Sequence, residues 1–346
     1  MSLQTLPKRI VGALALALLG LVLVVPPAQA AGPGHISITN PDLVPGNNSI
    51  IFNRIQYPAD TYQRVHDKVS VRLTNDGSTS VTVNSVTTTG PFTATKPVTI
   101  PTTIAAGSHI DILVTFTATS GPWSSGTLVV KSTPSGGAAT TSTVALNGYW
   151  QVLSEHNIEP WLPDLVKKLG YKTVMPTSIF SKGEYKAFST DEVLSPYWTR
   201  LDATKTSAVT QLATWRGYPT TATLKWFPKG STASTSTVIT ALRVDAQSVL
   251  PRTSTYAPGR ATFTPTGTFG FKLDADYTDP KLNNASGDRS AGCTATQCGQ
   301  HVRVFKVRDS AGNLVAGRYL FCLDIGGINF DYQDSVYLVT NLKPAA

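Results

Sequence analysis

The residues best suited to chemistry lie near the C-terminus, where Asn329, Asp331 and Asp334 crowd a short turn ahead of an apolar run at 336–342. Side-chain oxygens at this spacing, with a rigid strand behind them, form the donor set of a hard cation such as Ca²⁺. Asp274 and Asp276 extend the set, because residues two apart on an extended segment point to one side. Asp279 and Asp324 fall on neighbouring expected loops. We therefore expect a Ca²⁺ site built from Asp274, Asp276, Asn329, Asp331 and Asp334. The ordinary alternative is that these side chains cap turns by accepting backbone hydrogen bonds. An EF-hand is excluded, since its Gly and distal Glu are missing at the required spacing.

Two other constellations offer chemistry. Glu155, His156 and Glu159, with Asp191 and Glu192 downstream, supply carboxylates of the kind a glycoside hydrolase sets on opposite sides of a bond. Nothing local sets their separation, and Asp191-Glu192 after Ser189 also suits the first turn of a helix. No catalytic residue is assigned. The aromatic residues Trp123, Trp150, Trp161, Trp198, Trp215, Trp226, Tyr332 and Tyr337 form the third set. Rings exposed on a β-face make an apolar ligand patch with a polar rim. Trp215, Trp226 and Tyr332 are expected to contact such a ligand. Trp150, Trp161 and Trp198 flank a helix and read as packing. There is no G-x-S-x-G, H-E-x-x-H, P-loop or Rossmann glycine pattern.

These residues must be held by β-structure. Charged residues make up 14% of the chain, and Thr, Ser, Gly, Pro and Val are abundant, which suits strands and turns over helix. Residues 1–31 read as an export signal: Lys8 and Arg9, the apolar run 10–25, then Ala28-Gln29-Ala30 as a small-residue cleavage pattern. We expect a secreted or cell-surface protein with no membrane span once the signal is removed. The formal charge is +8, with basic residues scattered and only Lys167-Lys168 adjacent after the leader, so no nucleic-acid partner is expected. In an oxidising compartment Cys293 and Cys298 can close a small disulfide loop, with Cys322 a buried thiol in an apolar run. A bridge from Cys322 to either remains an alternative.

Along the chain, 32–148 carries about seven short strand-like runs separated by turns, the pattern of an immunoglobulin-like sandwich. Residues 149–260 read as a mixed α+β middle segment, either an insert or a linking layer. Its one clear helix has Leu162, Leu165, Val166 and Leu169 on one face and Gly170 at its left-handed end. Residues 261–346 return to β as a C-terminal sandwich with acidic loops. The fold class expected is mainly β.

Two resemblances follow from quoted residues. Val71-Arg72-Leu73-Thr74-Asn75-Asp76-Gly77, Val81-Thr82-Val83, Gly90-Pro91-Phe92, Ile104-Ala105-Ala106-Gly107 and Ile112-Leu113-Val114-Thr115-Phe116 resemble the Hydin/abnormal-spindle type of immunoglobulin-like domain. That likeness covers about a third of the chain and implies a spacer or interaction module. Asn329-x-Asp331-x-x-Asp334 before an apolar strand resembles the Asp/Asn-rich turn of calcium-associated C-terminal β-sandwich domains in exported bacterial proteins, with Gln333 standing where Asn is commoner. Together the readings point to a non-catalytic binding or attachment protein of the cell surface or matrix. Its expected ligand is extracellular polysaccharide or cell-wall polymer, and other surface proteins are possible partners. A structural envelope subunit and a secreted glycoside hydrolase are the rival readings.

Overall fold

The computed structural model describes residues 34–39, 49–57, 66–153, 158–176, 182–217, 221–253, 255 and 257–345. Alternation of apolar and polar side chains builds the first sandwich. Its strands are β1 (Ile36–Thr39), β2 (Ser49–Ile55), β3 (Lys68–Asn75), β4 (Val81–Thr88), β5 (Phe92–Thr95), β6 (Thr102–Ile104), β7 (His109–Phe116), β8 (Trp123–Pro134) and β9 (Thr140–Gln151); inward residues alternate with wet ones most clearly in β3 and β7, whereas β2 is buried on both faces. Ile112, Val114 and Phe116 of β7 are fully buried, while Leu113 between them is exposed. One sheet runs β1-β3-β7-β5 and the other β2-β9-β8-β4-β6. Equating β1, β3, β4, β5, β7, β8 and β9 with strands A to G gives the ABED and CFG sheets of an immunoglobulin-like sandwich. Gly148 lets the sheets close: a Cβ there would sit 2.5 Å from the Phe116 ring. That ring packs with Phe52 and Phe92 at centroid distances of 6.3 and 5.1 Å.

The second sandwich takes its strands from both sides of position 260. β10 (Trp198–Arg200), β11 (Ser207–Trp215), β12 (Thr223–Pro228), β13 (Ser236–Thr240) and β14 (Gln247–Val249) come from the expected middle segment. β15 (Arg260–Phe263), β16 (Phe269–Leu273), β17 (Asp276–Tyr277), β18 (Val302–Arg308), β19 (Leu314–Leu323), β20 (Ser335–Thr340) and β21 (Leu342–Pro344) follow. The sheets run β13-β12-β16-β10-β21, with β17 on β16, and β14-β11-β20-β19-β18, with β15 on β11. A boundary at 260 therefore cuts through both sheets. Most of 149–260 is the linking-layer alternative, not an insert. Pairing of β11 with β20, far apart in sequence, leaves no trace in local periodicity.

The sheet β14-β11-β20-β19-β18 is buried on both faces. Val209, Val304, Phe321, Tyr337 and Val339 face the opposing sheet. Leu212, Phe305, Leu320, Cys322, Val336 and Leu338 face helix α1 (Leu162–Lys168) and the first sandwich. Double burial explains the near-continuous apolar run of β20, which would alternate on a half-wet sheet. Leu162, Leu165 and Val166 of α1 and Leu169 at its C-cap are at most 1% exposed, and Gly170 at φ 98° ends the helix as expected. No helix among the described residues is long and apolar enough to cross a membrane.

Two polar devices tie the pieces together. Asn53 of β2 is 1% exposed; its carbonyl accepts from the backbone N–H of Val249 at 3.0 Å and from Ser248 Oγ at 3.3 Å, across the junction of the sandwiches. Further on, the polar excursion 274–300, stapled by the expected Cys293–Cys298 disulfide, is pinned by His301. His301 is 1% exposed, with Nδ1 2.6 Å from Asp276 Oδ1 and Nε2 3.1 Å from Asp288 Oδ2. A neutral imidazole has one N–H, so both contacts are hydrogen bonds only when the ring is protonated. Burial opposes that charge, but the two carboxylates outweigh it and raise the pKa. Asp276 also accepts from the Gly326 N–H at 3.0 Å, joining the excursion to the 324–334 loop.

Asn53→Ala is expected to cost about 1–3 kcal/mol, since it strands a buried Val249 N–H. Denaturant unfolding checks this; an unchanged midpoint would remove the junction from the sources of stability. The His301 contribution is complete below the unfolded histidine pKa of about 6.5 and is lost as pH rises through the raised folded value. Thermal midpoints should therefore fall between pH 6 and 9, less steeply in His301→Gln. Equal slopes in the two proteins would refute the pin.

Candidate binding cleft at the sandwich junction

The five expected Ca²⁺ ligands do not form one shell. Asp274 accepts from Arg216 Nη1 at 2.7 Å and from the Thr223 N–H at 2.9 Å, closing the end of β16 against β12. Asp276 is held by His301 and Gly326. A guanidinium and an imidazolium already neutralise these two carboxylates, which physically removes them from a shared cation site. Asn329, Asp331 and Asp334 do share a loop, together with Asp324. The Asn329 amide donates to Asp331, and Asp334 closes the loop by accepting from the Ile325 N–H at 2.6 Å. Asp324 Oδ1 accepts from the Ile328 N–H at 3.0 Å. Among the described residues, no three His, Cys, Asp or Glu groups converge as a metal ion requires.

The aromatic expectations also need correction. Trp215 and Tyr332 are both 0% exposed and touch no solvent-facing surface. Trp215 Nε1 donates to Gln151 Oε1 at 3.1 Å, and the Tyr332 hydroxyl donates to the Gln300 carbonyl at 2.6 Å. They are anchors of the double-faced sheet, because large rings yield most when fully buried. Trp226 is half-buried and meets Phe269 edge-on at 6.1 Å, remote from the acidic loop in the strand order. Trp150 and Trp161 pack against the two cores as expected, and each keeps a half-buried edge beside an open depression.

The candidate acids also separate. Glu155 and His156 lie outside the described residues. Asp191 makes a two-pronged pair with Arg308 at 2.7 and 2.9 Å, and Glu192 is paired with buried Arg303. Both are structural counter-ions. Glu159 has a different fate: it enters a chain of amides running through the junction. Gln151 Nε2 donates to Gln247 Oε1 at 3.0 Å, and Gln247 Nε2 donates to Glu159 Oε1 at 3.2 Å. Gln333 Nε2 then donates both to Glu159 Oε2 at 3.0 Å and to Asp331 Oδ2 at 2.7 Å.

This chain floors a cleft of about 380 Å³ between Glu159-Pro160-Trp161 and the loop residues Asn329, Phe330, Asp331 and Gln333. A depression of about 390 Å³ beside Trp150, Val152 and Ile158 shares Glu159 with it. A third, of about 300 Å³, shares Asn329 and includes Ile328, which is 79% exposed. Linked depressions between two domains are a common setting for ligand sites. The acid in this region is hard to ionise. Burial and Asp331 push the Asp324 carboxyl up to about 7. Burial also raises Asp331, with the Gln333 amide working against it. Asp334 lies well above the usual range through burial and the nearby Asp331, Asp324 and Glu159.

In the sequence Glu159 stands out as a candidate acid and Trp161 as a ring packed beside a helix. Their adjacency, with Pro160 between, at the join of two β-modules was the available signal. Gln151 and Gln247 carried none, because an isolated amide matches no motif, and Gln333 stood out only as a departure from the Asp/Asn-rich turn. No protein-family profile matches the chain, and no curated protein matches it. Among solved structures, the VesB protease of Vibrio cholerae aligns at 16% identity over 33% of this chain and 31% of its own, with a TM-score of 0.24. The ASH/PapD-like domain of human CEP192 aligns at 14% over 44% of this chain and 97% of that domain, TM-score 0.24. The E. coli chaperone DraB aligns at 11% over 90% and 98%, TM-score 0.25. Scores this low support no argument about function, and the immunoglobulin-like assignment rests on strand order.

Proposed function

We propose that this chain is an exported, non-catalytic protein of the cell surface or matrix that binds extracellular polysaccharide in the junction cleft. The observation that carries the reading is the run of linked depressions with half-buried Trp150 and Trp161 on either side of Glu159. A glycan is long and repetitive, so several shallow subsites in a row suit it better than one deep pocket. Aromatic walls supply apolar contact for sugar faces, and carboxylates and amides supply acceptors for hydroxyls. The amide chain holds these groups before a ligand arrives, which lowers the ordering entropy of binding. The first sandwich serves as one wall and as a spacer.

One observation favours a second reading, glycoside hydrolysis. Glu159 and Asp331 share the Gln333 amide nitrogen, so two carboxylates face one cleft at close range, as in retaining glycosidases.

Affinity electrophoresis against neutral, acidic and amino polysaccharides tests the proposal. At least one polymer should retard the protein, and Trp161→Leu, which keeps apolar packing, should weaken retention about tenfold, equivalent to ~1.4 kcal/mol. Trp226→Leu should leave it unchanged. Failure of every polymer to retard the wild type would sink the binding reading. Release of reducing ends that stops in Glu159→Gln would replace it with hydrolysis.

A further inference from the structure

The outer face of the sheet β13-β12-β16-β10-β21 carries an unbalanced charge. Its strands, with β17, contain Arg200, Lys225, Lys272 and Lys343 against Asp276 alone, and Asp276 is already paired with His301. Strand alternation decides which side the lysines take. Leu224, Phe271 and Leu342 face the core, so Lys225, Lys272 and Lys343 beside them stand on the outer side. Among the described residues, no ion pair includes Lys225, Lys229, Lys272 or Lys343.

The sheet register then lines these groups up. Thr237, Lys225, Lys272 and Tyr277 stand directly opposite one another in one row across four strands. Lys225 and Lys272 are therefore like charges in a cross-strand pair, an arrangement that lowers stability. Two residues along, Phe227 faces Gly270, where a Cβ would meet the Phe227 ring at 2.6 Å. The bare glycine lets that ring settle on β16, and Tyr197 and Tyr277 meet it edge-on at 6.4 and 5.5 Å. Each tyrosine in turn carries an ammonium. Lys229 Nζ lies 5.1 Å from the Tyr197 ring centre, and Lys272 Nζ lies 4.8 Å from that of Tyr277. Asp279, the carboxylate at this cluster, accepts from the Tyr197 hydroxyl at 2.8 Å.

A sheet that tolerates a like-charge pair and rests its ammonium groups on rings presents positive charge in fixed places. Such a surface attracts a polyanion. Lysine heads are point charges and lack the fork that grips phosphate in two places, while Arg200 is engaged with the carbonyls of Pro265 and Lys205. The tyrosines offer no open stack for a base, since each lies between a lysine and Phe227. Both points favour spaced carboxylates over nucleic acid.

We propose that this face binds an acidic polysaccharide, a chain of uronate sugars whose carboxylates meet Lys225, Lys229 and Lys272, with Lys343 extending the track. It is a second surface, on the sheet opposite the one that packs against the first sandwich, and it stands whether or not the junction cleft takes a glycan.

Binding of the full chain at low salt with chelator, measured against polygalacturonate, its methyl ester, single-stranded DNA and phosphatidylglycerol vesicles, tests this. Polygalacturonate should bind most tightly and the uncharged methyl ester about tenfold more weakly, and affinity for the acid form should fall steeply with NaCl as exposed charges are screened. The double variant Lys225→Gln with Lys272→Gln should weaken polygalacturonate about tenfold, whereas Trp161→Leu should leave it unchanged. Lys272→Glu guards against a folding defect. It converts the like-charge pair into an opposite one, so it should keep or raise the thermal midpoint while polymer binding is lost. Equal affinity in wild type and double variant would overturn the proposal, and a loss confined to Trp161→Leu would move the polymer to the cleft. Failure of polygalacturonate to bind at low salt would overturn it without touching neutral glycans in the cleft. Tighter binding of DNA or of vesicles would overturn the polysaccharide as the partner of this face.

Discussion

The rest of the structure depends on burying β14-β11-β20-β19-β18 on both faces. A sheet with two apolar faces needs two covers. One is the opposing sheet of its own sandwich. The other is α1 together with the rim of the first sandwich, through Ile51 and Tyr149. Removing either cover would expose Phe305, Leu320, Val336 and Leu338 or their counterparts on the other side. The two sandwiches are therefore not beads on a flexible string. Their junction is part of a core, and a cleft formed there inherits the stiffness of that core.

Joining two β-modules through a core forces polar groups inside. Asn53, Gln151 and Gln247 are each at most 2% exposed and solve the problem with an unbroken hydrogen-bond chain that reaches Trp215 on one side and Glu159 on the other. A chain of this kind is favourable only while every member is satisfied, since unpaired groups in a low-dielectric interior carry the full desolvation penalty. The links hold from Trp215 to Gln333. Its end lies at the cleft, where the Gln333 amide nitrogen donates to both Glu159 and Asp331.

The same logic sorts the acids. Asp191, Glu192, Asp274 and Asp276 each meet a cationic side chain, namely Arg308, Arg303, Arg216 and His301. Removing one partner from such a pair would leave a buried uncompensated charge, so these are architectural positions. Asp324, Asp331 and Asp334 instead rely on backbone and amide donors, and burial holds their carboxyls above the usual range, with repulsion from neighbouring carboxylates adding to it at Asp324 and Asp334. Two groups of aspartates that look alike in the sequence thus differ: one holds loops in place through ion pairs, and the other carries carboxyls that burial makes hard to ionise beside an opening.

What the sequence by itself determined is the part whose causes lie within a few residues. The strand runs of the first sandwich follow from two-residue alternation, α1 from the spacing of Leu162, Leu165, Val166 and Leu169, its end from Gly170, and the Cys293–Cys298 loop from the short separation of the two cysteines. Buried Cys322 follows from the apolar run around it. Only tertiary structure decided which partner each polar side chain would meet. Asp274 finds Arg216 58 positions away, Asp191 finds Arg308 at 117, and Glu159 finds Gln333 at 174. Exposure was decided at the same level: Trp215 and Tyr332 vanish into a sheet whose second cover comes from distant chain, while Trp150 and Trp161 are left at the opening. Periodicity reports which residues prefer to leave water, but the faces that receive them are set by long-range pairing, and the candidate site exists only where two such faces meet.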